Sequence, residues 1–120
     1  MLTVHFETDP TVIGRLCGEL GVSPDEKCSN FVLREDGDPI GLMRTSVGET
    51  VRITYFNIVN RAMNLENREF FFRAMLFKFS LNPVPLEVEG EHKELEKFGF
   101  VYEGGSMKIN SADIVFAPRL

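Results

Sequence analysis

Apolar residues along this chain change period repeatedly, from every second position to every third or fourth and back. "LTVHF" (2–6) reads as a strand. "TDPTVIGRLCGELG" places Val12, Ile13, Leu16, Cys17 and Leu20 at helical spacing, with Thr8 or Asp9 as cap, Pro10 in the first turn and Gly21 at the end. After the loop "VSPDEKCS", the run "NFVLRE" (30–35) leads through the turn signal "DGDP" into "IGLMRTS" (40–46). "VGE" then turns into "TVRITYFNIV" (50–59), where Val51, Ile53 and Tyr55 alternate with Arg52, Thr54 and Phe56. Three antiparallel strands in a meander are expected.

A long helix is expected over 65–79, with Asn64 as N-cap and Glu66 in the first turn, where negative charge is favoured. Phe72, Leu76 and Phe79 form one stripe, which Phe70, Met75 and Phe77 widen, and Glu69 and Arg73 form an i,i+4 pair. So apolar a helix is covered on more than one side. It could lie on a sheet and also touch another subunit. Two prolines in "SLNPVPLEVEG" break it and supply a short strand near 85–89. "EHKELEKF" makes about two helical turns, "GFVYEGG" turns into a strand, "SMKI" continues or turns, and "SADIVFAP" (111–118) is the last strand. The order β-α-β-β-β-α-β-α-β-β predicts one α/β (α+β) domain, 1–120, around a mixed central sheet.

Composition narrows the class. The chain has 120 residues, 43% of them hydrophobic, enough for a core without staples. With 11 Phe, 2 Tyr and no Trp, Phe and Met are expected to fill much of the interior. No tract is long enough to span a bilayer, and "MLTVHFETDP" lacks a basic region followed by an apolar run, so a soluble cytoplasmic protein is expected. A net charge of −5 argues against general nucleic-acid binding. Cys17 sits at an apolar helical position and reads as a buried thiol. Cys28, His5 and His92 show no metal-ligand spacing, so no metal is expected.

The order of elements, with "LREDGDPIGLMRT" (33–45) as the hairpin and "HKELEKFGFVYEG" (92–104) as closing helix, Gly-Phe turn and strand, resembles the GNAT N-acetyltransferase superfamily. The resemblance implies acetyl-CoA or another acyl-CoA as cofactor, held where the fourth strand runs into the next helix. On that reading Ile58 and Val59 pair with pantetheine by their main chain, while Arg61 and the N–H groups leading to Asn64 meet the pyrophosphate. The family pattern Gln/Arg-x-x-Gly-x-Gly/Ala falls on Arg61-Ala62-Met63-Asn64-Leu65-Glu66, so Asn64 and Glu66 stand where the family has small residues. A carboxylate ~4 Å from a phosphate charge would repel it by about 4 kcal/mol at an effective dielectric near 20. Leu95 occupies the position of the family's proton-donating Tyr, and Val88 that of an Asn. The catalytic residues are therefore unassigned, with Glu49 the one carboxylate near the fourth strand's start and Tyr102 off position.

Two functions follow from the resemblance. One is acyl-CoA-dependent N-acyl transfer to a small amine or peptide. The other is a non-catalytic GNAT-derived binding or dimerisation module that has lost CoA binding, with a homodimer through the Phe-rich helix. Some other mixed α/β domain is the fold-level alternative. Outside the motif, "EVEGEHKELEKF" is an acidic patch or a solvated face, and "EFFFRAMLFKF" is core, dimer contact or acyl pocket. Arg44, Arg52 and Arg61 could form a small anion site.

Overall fold

In the computed structural model, which describes residues 1–116, the chain builds a seven-stranded sheet. The elements run β1 (Leu2–Glu7), α1 (Pro10–Leu20), β2 (Ser29–Glu35), β3 (Asp38–Ser46), β4 (Val51–Ile58), α2 (Leu65–Ser80), β5 (Pro85–Glu89), β6 (Val101–Glu103) and β7 (Ser106–Asn110). Short 3-10 turns occupy Asn60–Ala62, Lys93–Phe98 and Ser111–Asp113. Across the sheet the strands lie in the order β1-β2-β3-β4-β5-β7-β6. Strands β2 to β4 form the expected three-strand antiparallel meander, and β1 pairs antiparallel with β2 beside it. β5 then lies parallel to β4, which requires the crossover that α2 provides.

The caps are those the sequence offers. Asp9 accepts a hydrogen bond from the N–H of Thr11, and Gly21 closes α1 in the left-handed region. Asn64 caps α2 by accepting from the N–H of Asn67. The helices cover opposite faces of the sheet. Arg44 of β3 reaches Cys17 of α1, whereas Phe56 of β4, which pairs with Met43, packs on Phe71 and Phe72 of α2. Successive strand residues point to opposite faces, so Met43 and Arg44 separate the two layers.

Three expectations need correction. Tyr55 does not share a face with Val51 and Ile53. Arg44 pairs with Tyr55 but Thr45 pairs with Ile53, so Thr54 is an extra residue that reverses the alternation. Phe56 therefore joins Val51 and Ile53 on the α2 face. The helix after β5 is a 3-10 turn, although Leu95 and Phe98 are buried as expected. Finally, β7 takes "SMKIN", and residues 111–113 form a 3-10 turn instead of opening a strand. Ser111 is pinned there because its hydroxyl accepts from Val84 N–H and donates to the carbonyl of Asn82. The remainder of the expected 111–118 strand includes residues 117 and 118, which lie outside the described ones.

The α2 stripe is also displaced: Phe71, Phe72, Met75 and Leu76 are buried, Phe79 only partly, and Phe77 is 60% exposed. Phe71 sits over Gly41. A Cβ on Gly41 would stand 3.0 Å from Phe71 Cε2 and 3.2 Å from both Ile58 Cγ1 and Leu33 Cβ. All three neighbours are essentially fully buried and have little room to give. Gly41→Ala should therefore destabilise the fold by about 1–3 kcal/mol through overpacking. The readout is a lower urea midpoint at an unchanged slope. An unchanged midpoint would mean that α2 shifts outward without cost.

Candidate functional site

β4 and β5 pair only at Val51–Leu86, Arg52–Glu87 and Ile53–Val88, and then separate. The separation begins at the Thr54 bulge, since a bulge bends its strand and increases the local twist. Beyond it the outer edge of β4 faces a gap. The N–H of Val59 donates to the carbonyl of Ile40 at 2.8 Å, on the β3 side. By the alternation of antiparallel pairing, the main chain of its neighbour Ile58 points away from β3. That Ile58 N–H donates to the side-chain Oδ1 of Asn57 at 2.9 Å.

The structure brings three of the four expected cofactor residues together. Ile58, Val59 and Arg61 line one cavity of about 310 Å³, with Glu19, Leu20, Asn57 and Asn60. Both Ile58 and Val59 are buried, at 1% exposure each. Asn64 lies outside that cavity, as the cap of α2. It is joined to the Arg61 turn through Asn67, whose Nδ2 donates to the carbonyl of Ala62 at 2.9 Å. The backbone of Asn64 is extended, at φ −156°, so the position does not demand a left-handed residue. Glu66 is exposed in the first turn of α2.

Arg61 is engaged through all three of its guanidinium nitrogens by the chain itself. Its Nε and Nη2 donate to the two carboxylate oxygens of Glu19 at 2.7 and 3.2 Å. Its Nη1 donates to Asp38 Oδ2 at 2.6 Å, and Nη2 also approaches Asp38 Oδ1 at 3.4 Å and the Pro39 carbonyl at 3.3 Å. These hydrogen bonds hold the Asp38 carboxyl below the usual carboxylate range and raise the Arg61 guanidinium above its own. All three side chains are nevertheless about half exposed. The cluster adds little stability, because exposed pairs are screened and cost side-chain entropy.

Aromatic side chains pack on the α2 side of β4. Phe56 stacks on Phe72 with ring centroids 4.1 Å apart, and His92, just past β5, meets both rings edge-on at 6.3 and 5.7 Å. Arg68 of α2 lies over the Phe56 ring and pairs with Glu94 of the following 3-10 turn at 2.5 Å. Lys97 pairs with Glu69 at 2.8 Å. Two ion pairs thus tie α2 to the segment after β5. Sequence reasoning found no metal-ligand spacing for His92 and gave Phe56 no role. Neither carries a motif, and only the bulge turns Phe56 toward α2.

The other candidates are placed as follows. Leu95 and Val88 are buried in the core. Glu49 is an exposed turn residue, and Tyr102 is exposed on β6. Cys17 is buried as expected. The three arginines are each occupied elsewhere: Arg52 pairs with Glu87, Arg61 with Glu19 and Asp38, and Arg44 donates to Cys17 and the Ser23 carbonyl. Among the described residues there is no group of three or more His, Cys, Asp or Glu able to hold a metal ion, and no helix long and apolar enough to cross a membrane.

Burial pushes the Glu94 carboxyl up, but the Arg68 hydrogen bond, its own backbone N–H and the charges of Arg68 and His92 together hold it below its ordinary value. A depressed folded-state value stabilises the fold above the unfolded value, about 4.3 for Glu, and the benefit fades as pH falls through the folded one. Arg68→Ala should cost about 1 kcal/mol at neutral pH, and the difference from wild type should shrink as the pH drops below about 4. Paired denaturation curves at several pH values measure this. A pH-independent difference would assign the loss to packing on Phe56.

No family model matches the chain, and no curated protein matches it. Solved structures do. The ribosomal-protein-S18-alanine N-acetyltransferase of Escherichia coli matches with a TM-score of 0.71 at 13% identity, covering 98% of this chain and 97% of the other. A GNAT family acetyltransferase from Elizabethkingia anophelis, with acetyl-CoA bound, matches at 0.66 and 14%, over 91% and 97% of the two chains. Arabidopsis thaliana Naa50, in complex with the bisubstrate analogue CoA-Ac-MVNAL, matches at 0.63 and 12%, over 91% and 96%. Over nearly its whole length, the chain has the GNAT N-acetyltransferase fold.

Proposed function

We propose that this protein binds acetyl-CoA or another acyl-CoA along the open edge of β4 and transfers the acyl group to the amine of a small molecule or peptide. The observation that carries the reading is the separation of β4 from β5 after Ile53, which leaves the Ile58 main chain without a β5 partner, at a strand end that shares a cavity with Arg61. The structural neighbours with acetyl-CoA and with a CoA–peptide analogue bound support the cofactor class. Residues 1–120 are read as one domain, since a single sheet runs from Leu2 to Asn110.

The donors present suit such a group. A main-chain N–H at Ile58 that already serves an amide carbonyl can serve a pantetheine carbonyl, and a guanidinium that already serves carboxylates can serve a pyrophosphate. At the head of α2 the Asn67 N–H is already taken by Asn64 Oδ1, and an anion there would meet the first-turn N–H groups that the helix ladder leaves over. Bound there, an acyl-CoA supplies a thioester carbonyl activated toward an amine. With Leu95 in place of an acid, the chain contributes position and an arriving neutral amine needs little more.

A second reading, a binding or dimerisation module, is favoured by the outer side of α2. Phe70 and Phe77 stay exposed there and, with Phe116, Val4 and Ala74, line an open cavity of about 580 Å³ rimmed by Arg73 and Lys78. The two readings part on ligand binding. At 100 times its dissociation constant, acetyl-CoA adds about 2.7 kcal/mol to stability, which should raise the thermal midpoint of a domain this size by several degrees. Thermal unfolding against acetyl-CoA, with desulfo- and dephospho-CoA as controls, is the test. No shift at millimolar acetyl-CoA removes the cofactor reading and leaves the module, which sedimentation would then examine for dimers.

A further inference from the structure

We infer that the free protein holds its own cofactor site closed with internal stand-ins: Glu19 and Asp38 occupy Arg61 in the manner of a pyrophosphate, and the Asn57 amide occupies the Ile58 N–H in the manner of pantetheine. The inference rests on the acyl-CoA reading and concerns how that site is controlled. Three separate elements supply the stand-ins. Glu19 comes from α1, Asp38 from the start of β3 and Asn57 from β4 itself, while their targets lie around one cavity.

The chemistry of each stand-in matches what it replaces. Pyrophosphate offers anionic oxygens to a guanidinium, and the two carboxylates offer four, at 2.6 to 3.4 Å. Pantetheine offers amide carbonyls to a strand edge, and Asn57 offers one at 2.9 Å. Stability does not require the carboxylate contacts, because the side chains are about half exposed. What they do accomplish is to engage the Nε, Nη1 and Nη2 groups of Arg61 and to put two negative charges where an anion would arrive. Cofactor must displace both, so its apparent affinity is lowered by the population of the closed arrangement.

The experiment measures acetyl-CoA binding by titration calorimetry to wild type, to E19Q/D38N, to R61A, and to the triple variant carrying all three changes. E49Q/E103Q, two exposed carboxylates away from Arg61, controls for net charge alone. The expected result is binding about tenfold or more tighter in E19Q/D38N, with no such gain in the R61A background and none in the control. A parallel readout is amide exchange at Ile58. It should accelerate in N57A and slow again when acetyl-CoA is added, independently of any turnover. If wild type binds and E19Q/D38N binds no better, or gains equally without Arg61, the stand-in inference is overturned while the acyl-CoA reading survives. If none of these proteins binds, the acyl-CoA reading falls and takes this inference with it.

Discussion

The parallel pairing of β4 with β5 lasts three residues, and most of what is distinctive in this protein follows from its ending. A parallel partner forces the chain through a crossover, so α2 must lie across the sheet, with its N-terminus near the end of β4. The extra residue at Thr54 then bends β4 and reverses its alternation. Reversal turns Phe56 onto Phe71 and Phe72, so the core of α2 depends on the same irregularity that opens the edge. A straight β4 would have sent Tyr55 toward α2 and Phe56 toward α1. The opening and the packing are two consequences of one residue.

An edge released from its partner has donors to satisfy, and this chain satisfies them locally. Asn57 takes the N–H of Ile58, and Asn64 takes the N–H of Asn67 at the head of α2. The charged side chains around the gap follow the same rule at longer range. Arg61 joins α1 to the start of β3, while Arg68 and Lys97 join α2 to the turn after β5. Individually such partly exposed pairs add little to stability, in contrast to the buried Phe71, Phe72, Met75 and Leu76. Hydrophobic burial fixes where the elements sit. The ion pairs decide which donors around the gap are already in use.

Much of this was legible in the sequence. The change between periods near two and near four placed α1, α2 and the first four strands, and the caps Asp9, Gly21 and Asn64 marked the helix ends where they stand. Arg61 stood out in the sequence only through the resemblance. Its partners did not stand out at all, since Glu19 and Asp38 lie 42 and 23 residues away, and exposed ion pairs leave no periodic trace. The bulge was hidden because Val51, Ile53 and Tyr55 continue a perfect alternation on paper. The last strand was misplaced for a related reason. "SADIVFAP" has strand-like residues, but the Ser111 hydroxyl bonds to Val84 and Asn82 hold its start in a turn.

The structure also changes the weight of the two departures from the family pattern. Asn64 adopts an extended backbone, so what a glycine would add there is room for close approach, and its conformational freedom is not called upon. Glu66 is exposed, and in a medium close to bulk water a charge ~4 Å away costs only about 1 kcal/mol, against about 4 at a dielectric near 20. Its side chain can also turn outward. The larger electrostatic obstacle is the pair of carboxylates already bonded to Arg61, which no comparison of motifs would single out. They compete for the guanidinium itself, whereas Glu66 only adds to the field around it. An obstacle made of half-exposed ion pairs is reversible, because each carboxylate that leaves Arg61 regains water. A filled core position such as Leu95 is not reversible in that way. At that position the chain offers no side-chain acid, whereas the Arg61 donors are held only by contacts that water or an anion can exchange.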